Sequence, residues 1–332
     1  NYYIIIIKII LILCTQIFYI CIQAQHLETA QKTGILKISL QRLQEFPPQL
    51  KNYPNVLKTL DLSENRFERV PDELGHFTLL KHLNLSGNKL TELPEVIGEL
   101  VKLEVLLVMN NFLVKIPKTL SNCSNLKTVN LSNNQIKDFP IMFSGLKHLD
   151  VLDLSRNKIT VVPAEASGLY VTELNLNQNQ ISSLSEEIAV CPKLKTLRLE
   201  ENCLQSSAFS PRLLKESKIS NLCVDGNLFN SKQFTDLNGY DVYMERYTAV
   251  KKKMVQFADI YLKITLQLIA ASFLVFFQKI ITEHKIYINF INSSVPKNIV
   301  VFSVLLFYIS IFCFWVRRLS IFFVDLKLSS TF

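Results

Sequence analysis

A chain of 332 residues with 49% apolar side chains can bury a large core, and its length alone suggests about two domains. Its formal charge of +8, from 36 basic and 28 acidic residues, is scattered, with one run at Lys251–Lys253, so nucleic acid is excluded as the expected partner. Seven cysteines, odd in number and never spaced CxxC, exclude a clustered disulfide framework and read as reduced thiols of a cytosolic protein.

In chain order, residues 1–25 form an apolar N-terminal segment of Ile, Tyr, Phe and Cys that changes character between Gln23 and Ala24. Two readings stand. Ile4–Ile22 is a signal or anchor segment; alternatively, residues 1–25 are translated non-coding sequence. The second is the expectation adopted, because FYICIQ (18–23) is what a pyrimidine-rich run ending in CAG would encode. Next, HLETAQKTG (26–34) has the form of a short capping helix stopped by Gly34.

A repeat follows, and repeats decide the fold wherever they occur. LKTLDLSENRF (57–67) recurs as LKHLNLSGNKL (80–90), LEVLLVMNNFL (103–113), LKTVNLSNNQI (126–136) and LDVLDLSRNKI (149–159). Three further copies are VTELNLNQNQI (171–181), LKTLRLEENCL (194–204) and ISNLCVDGNLF (219–229). The repeated asparagines are Asn65, Asn88, Asn111, Asn134, Asn157, Asn179, Asn202 and Asn227, separated four times by 23 residues and then by 22, 23 and 25. A worn first copy, 36–47, puts Gln41 in the asparagine slot. The two apolar residues of each LxL point inward from a short strand, and the residue between them points out. The asparagine amide is expected to satisfy backbone groups where the strand turns back. Nine such coils, stacked at the strand spacing, extend roughly 40 Å.

In the second half of each coil, Pro71, Pro94, Pro117, Pro140 and Pro163 recur every 23 residues and suit the first turn of a short helix. Ser185 takes the next slot, where a looser coil is expected. Cys123 and Cys191 occupy one repeated position and read as small apolar fillers. Residues 231–254 read as capping helices broken at Asn238-Gly239, with Phe234, Leu237, Tyr240, Tyr243 and Tyr247 covering the last coil. The domain plan is therefore 1–25, repeats with their front cap over 26–230, a back cap over 231–254, and an apolar tail over 255–332. That tail holds two candidate transmembrane segments, 260–277 and 299–315, or is non-coding like the start.

Chemistry is hard to find. None of the five histidines is paired at metal-ligand spacing, and HExxH, GxSxG, GxxxxGK[ST] and GxGxxG are all missing, so no enzyme, metal or cofactor is expected. The coils offer a surface instead. Most outward residues on the expected concave face are polar, but Val105, Leu107 and Met109 place three apolar side chains together, with Val151 expected nearby. Arg198, Glu200, Glu201 and Asp225 form a second, charged candidate.

The pattern LxxLxLxxNxL resembles the leucine-rich repeat, which implies an α/β solenoid: a curved parallel sheet with short helical or irregular return segments, and apolar extensions at both ends. More specifically, HLETAQKTG (26–34), LNLNQNQI (174–181), LRLEENCL (197–204) and GYDVYMERYTAVKKK (239–253) resemble the leucine-rich repeat-containing protein 57 family of small intracellular proteins, over about 26–254. That resemblance implies a non-catalytic scaffold, cytoplasmic and membrane-associated through an N-terminal Met-Gly-Asn acylation signal. The sequence opens at Asn1 and its first glycine is Gly34, so that anchor is an expectation from the family alone. The functional expectation is a protein-interaction scaffold binding a protein partner on its concave face. The alternative is an integral-membrane, receptor-like protein, which glycosylation at Asn84, Asn122 or Asn130 would favour.

Overall fold

The computed structural model describes residues 27–291. The expectations for Ile4–Ile22 and for 299–315 lie outside the described residues. The chain divides into two compact units, Asn1–Lys253 and Met254–Phe332.

In the first unit each LxL forms a three-residue strand. Nine of these, β1 (Ile35–Lys37) through β6 (Val151–Asp153), then β8 (Glu173–Asn175), β10 (Thr196–Arg198) and β11 (Asn221–Cys223), pair in parallel and in chain order. The register sets like on like: Leu60, Leu83, Leu106, Val129, Leu152, Leu174 and Leu197 face one another across neighbouring strands. All are buried, and with the second leucine of each LxL they make one continuous core. β7 (Val161–Val162) and β9 (Ser183–Leu184) pair in a separate two-stranded ribbon.

Apart from the last, which also holds the short α-helix Pro211–Glu216, the return segments are 3-10 turns of three to five residues, such as Asp72–His76, Glu95–Glu99 and Lys118–Asn122. They are too short for an α-helix to develop its ladder, and the tighter i→i+3 bond closes them. The five prolines stand just before these turns rather than within the first turn. Their fixed φ, −65° to −81°, aims the chain, and their carbonyls accept the first turn bond, as Pro94 does from Ile97. The coil at Ser185 is not looser: its turn, Glu186–Val190, is as long as the others, and the Ser185 hydroxyl accepts from the Glu187 amide.

Two devices bend each coil after its strand. The residue before every ladder asparagine has a positive φ, whether glycine (Gly87, Gly226), asparagine (Asn110, Asn133) or a residue without that tolerance (Glu64, Arg156, Gln178, Glu201). The asparagine then holds the bend. The Asn134 Oδ1 accepts from the Leu113 amide of the preceding coil at 3.0 Å, while its Nδ2 donates to Val108 O and Leu131 O, both at 3.0 Å. The same three bonds recur at Asn88, Asn111, Asn157, Asn179 and Asn202. Asn65 makes them to the worn coil, through Leu43 N and Ile38 O, which places Gln41 in the asparagine register. Gln41 bonds no carbonyl itself, and its Oε1 is without a partner. All are buried except Asn227, which is half-buried in the last coil.

Both ends of the stack are covered. Residues 27–33 are helical (α1) and end at Gly34, whose φ of +73° turns the chain into β1. At the other end α2 (Pro211–Glu216) and α3 (Ser231–Thr235) precede α4 (Tyr240–Ile291). The break falls at Gly239, with φ +99°. Phe234 and Tyr243 are buried, and Leu237, Tyr240 and Tyr247 pack partly buried against the core. The Tyr243 hydroxyl takes the Leu222 amide at 3.0 Å, completing the edge strand, and Arg246 donates to the carbonyls of Leu214, Lys215 and Ile219. The second helical piece does not end near Lys253 but continues to Ile291. Among the described residues no helix is long and apolar enough to cross a membrane, and several side chains of 260–277 lie outside them.

Just before the fourth strand, Glu104 accepts from Lys127 at 2.6 Å and Lys81 at 2.8 Å, one on each neighbouring coil. These two hydrogen bonds, Lys127 first, hold its carboxyl down from 4.5 to about 2.

Two outcomes follow from the ladder and this triad. Asn134→Ala strands a buried donor and two buried acceptors and costs about 3 kcal/mol, while the half-buried Asn227→Ala costs about 1 kcal/mol, read from urea unfolding midpoints. Because the Glu104 carboxyl is depressed in the folded state, its stabilisation is present above the ordinary carboxylate range and is lost as pH falls towards 2. Glu104→Gln should therefore flatten the fall in thermal midpoint between pH 4.5 and 2; an unchanged slope would show the triad inert.

Candidate functional site

The face of the sheet opposite the leucine core is open. Its columns run in strict register, Thr59, His82, Val105, Thr128, Val151, Glu173, Thr196 and Asn221 in one, and Asp61, Asn84, Leu107, Asn130, Asp153, Asn175, Arg198 and Cys223 in the next.

The second column is not free surface. The Oδ1 atoms of Asp61, Asn84, Asn130, Asp153 and Asn175 accept the amide two residues on, at 2.9–3.1 Å, and so shape the turn towards the asparagine. Ser63, Ser132 and Ser155 add their hydroxyls to the same oxygens. Sequence reading took these polar residues for a solvated face. The signal that would have found them is the repeated Asp/Asn-Leu-Ser triplet.

Leu107 breaks that rule. It stands where its neighbours Asn84 and Asn130 make the turn bond, and it gives up a hydrogen bond to place an apolar side chain on the face. Val105, Leu107 and Met109 are half-buried and follow one another along a single coil. Val151 does not join them. Thr128 stands between Val105 and Val151, two strand spacings or about 10 Å apart.

The apolar character extends further round this coil than the strand. Phe112 and Val114, past the ladder asparagine, are 49% and 40% exposed. Five outward positions of the coil of Asn111 are thus apolar, with the exposed Asn110 standing between Met109 and Phe112. The preceding coil carries His82, Asn84, Ser86, Lys89 and Thr91 at the same places, and the following coil Thr128, Asn130, Ser132, Gln135 and Lys137. Phe112 and Val114 were missed because they fall outside the strand, although a position-by-position comparison of copies exposes them.

The charged candidate also separates into parts. Arg198 donates to Glu173 Oε1 at 2.9 Å across neighbouring strands, and this bond raises its already high pKa. Glu200 accepts from the Asn177 amide nitrogen, while its own backbone amide donates to Asn177 Oδ1 at 2.9 Å. Glu201 accepts from Gln178 at 2.9 Å, and Asp225 is exposed at the last turn. Met109, Asn175, Asn177, Glu200, Glu201 and Asp225 share a groove of about 650 Å³ along the turn edge. Val105 and Leu107 line a different one, of about 370 Å³, over the first strands with Ile35, Lys37 and His82. The structure therefore divides Met109 from Val105 and Leu107 by groove.

Among the described residues no three His, Cys, Asp or Glu side chains come together as metal ligands. Cys123 and Cys191 are free thiols in the core, pushed up to about 11 by burial, each directing its sulfur at a carbonyl of the preceding coil (Ile97 and Ala166).

Residues 34–90 and 101–159 match the family profile described as Leucine rich repeat. Among solved structures, the chain is similar to PEPR1 in the crystal structure of PEPR1–AtPEP1: 29% identity, TM-score 0.50, covering 56% of this chain and 27% of that one. It is also similar to a leucine-rich-repeat protein of Leptospira interrogans, at 28% identity and TM-score 0.47, covering 60% of this chain and 56% of that one. A plant ice-binding protein is 26% identical with TM-score 0.48, covering 55% and 60%. The chain spans less than two thirds of each of these proteins. With its in-register parallel strands, 3-10 return turns and asparagine ladder, residues 35–223 form a leucine-rich-repeat solenoid.

Proposed function

We propose that the chain is a non-catalytic scaffold that holds a protein partner on the open face of its sheet, the concave face expected from the repeat. The observation that carries this is Leu107, which forgoes the turn bond made at the equivalent position of both neighbouring coils in order to expose an apolar side chain. A rule broken locally, without a gain in packing, is a mark of function. The likeness to PEPR1, solved as PEPR1–AtPEP1, and the two grooves on this face support the same reading.

A cytoplasmic setting, as in the leucine-rich repeat-containing protein 57 family, belongs to the proposal. It is supported by four free cysteines among the described residues and by a back cap held through aromatic packing. Membrane association through acylation rests on that family resemblance alone.

A photo-crosslinking amino acid placed in the full chain at Thr128, on the open face, should yield a discrete higher-mass adduct in cells. The same residue at Lys118, exposed on the return side, should yield less than about a tenth as much. Equal adducts from both positions, or none from Thr128, would remove the scaffold reading.

A further inference from the structure

The apolar positions of the Asn111 coil follow one another along it as a stripe that spans two grooves, from Val105 and Leu107 to Met109 on the sheet face and then, past the exposed Asn110 at the turn, to Phe112 and Val114. The sheet-face reading accounts for the first three only. The stripe is a single coil wide, since every equivalent position on the two adjacent coils is polar. That shape suits a narrow, extended ligand better than a broad surface, because a flat contact would rest on the polar coils as well.

Its surroundings are basic. At the Val105 end lie Lys81, Glu104 and Lys127, a triad with one uncancelled positive charge. At the far end Lys89 and Lys137 flank Phe112 and Val114 on neighbouring coils, and Lys115 follows in the chain. None of these three has a carboxylate partner within ion-pair distance among the described residues. Glu92 and Asp138 are the acidic residues at the positions matching Lys115, and they leave this end with a net positive charge. Between the two ends Asn110 and Asn133 occupy two turn positions, the Glu64 carboxylate lies over Gly87 at the third, and Glu200, Glu201 and Asp225 stand four or five coils further along the groove that Met109 lines.

We propose that this stripe seats an extended acidic segment of a partner protein. Its apolar side chains cover Leu107, Met109 and Phe112, and its carboxylates reach Lys89, Lys115 and Lys137. The proposal rests on the scaffold reading and narrows it to one coil and one ligand chemistry. Apolar anchors supply the affinity, and the lysine rim selects for charge and speeds encounter.

The test selects a randomised 12-residue peptide library on the full chain. The comparison is a triple variant, Leu107→Asn, Met109→Ser and Phe112→Gln, which gives the coil the residues of the following one (Asn130, Ser132 and Gln135) and is expected to fold with an unchanged thermal midpoint. Enriched peptides should combine two or more large apolar residues with an excess of Asp and Glu. The triple variant should weaken their binding more than tenfold, and Lys137→Glu by three- to tenfold, with the latter loss shrinking at high salt.

Peptides that are basic, or that bind the triple variant equally well, overturn the proposal. If such peptides compete with a Thr128 crosslink while ignoring the stripe, the scaffold reading survives without it; if no peptide is enriched, the stripe is not a peptide seat. Vesicles of phosphatidylcholine with 30% phosphatidylserine distinguish a lipid surface: binding by the chain but not the variant assigns the stripe to a membrane instead. Sedimentation does the same for a second copy, which a dimer dissolved by the triple variant would reveal.

Discussion

The carboxamide of the ladder asparagine is the bond on which the solenoid depends. No coil of 22 to 25 residues can close its own backbone: the turn after each strand leaves an amide and two carbonyls facing inward, away from water. One planar side chain with an acceptor and two donors satisfies these groups across two coils at once. Ser is too short and has one donor, the Asp carboxylate has none, and Gln41 in the same register bonds neither carbonyl. The ladder thus does what a hydrogen-bonded helix would do elsewhere, leaving the return segments free to be brief 3-10 turns.

Because each asparagine ties its own coil to the one before, stability is shared between nearest neighbours and the ends are exposed by construction. The two caps solve this differently. At the front, α1 brings Ala30 and Leu27 over the first coil and stops on a left-handed glycine. At the back, an aromatic chain from Phe209 through Phe234, Tyr240, Tyr243 and Tyr247 covers the last leucines. Tyr243 supplies the hydrogen bond that a tenth strand would have made to Leu222, and Arg246 gathers three carbonyls left open there. Burial pushes the Tyr243 hydroxyl up and the Arg246 guanidinium down, as expected of polar groups used inside the structure.

The open face is shaped by the same economy. Asp and Asn residues in its central column look available for recognition, yet most of their oxygens are committed to the turn. What stands apart are the departures: Leu107 with its apolar neighbours, and the exposed Asp225 at the last turn. A repeat protein gains specificity in this way, by changing outward residues one coil at a time while the inward leucines and the asparagines stay fixed by packing.

The coil count, the parallel register and the inward leucines were legible in the sequence, because a period of 23 residues leaves one stacking that buries every LxL. The two caps were legible too, through Gly34, Gly239 and the spacing of their aromatic residues. The left-handed residue before each asparagine was not, since only two of its eight occupants are glycine and the other side chains do not betray their backbone. Nor did one-dimensional reading separate Val151 from Val105, or join Phe112 and Val114 to the strand residues. Those relations arise only when coils lie side by side about 4.8 Å apart, so that neighbours in space are 23 residues apart in the chain. The repeat determined the scaffold from within each copy. Which outward side chains share a surface was decided by the stacking of one copy on the next.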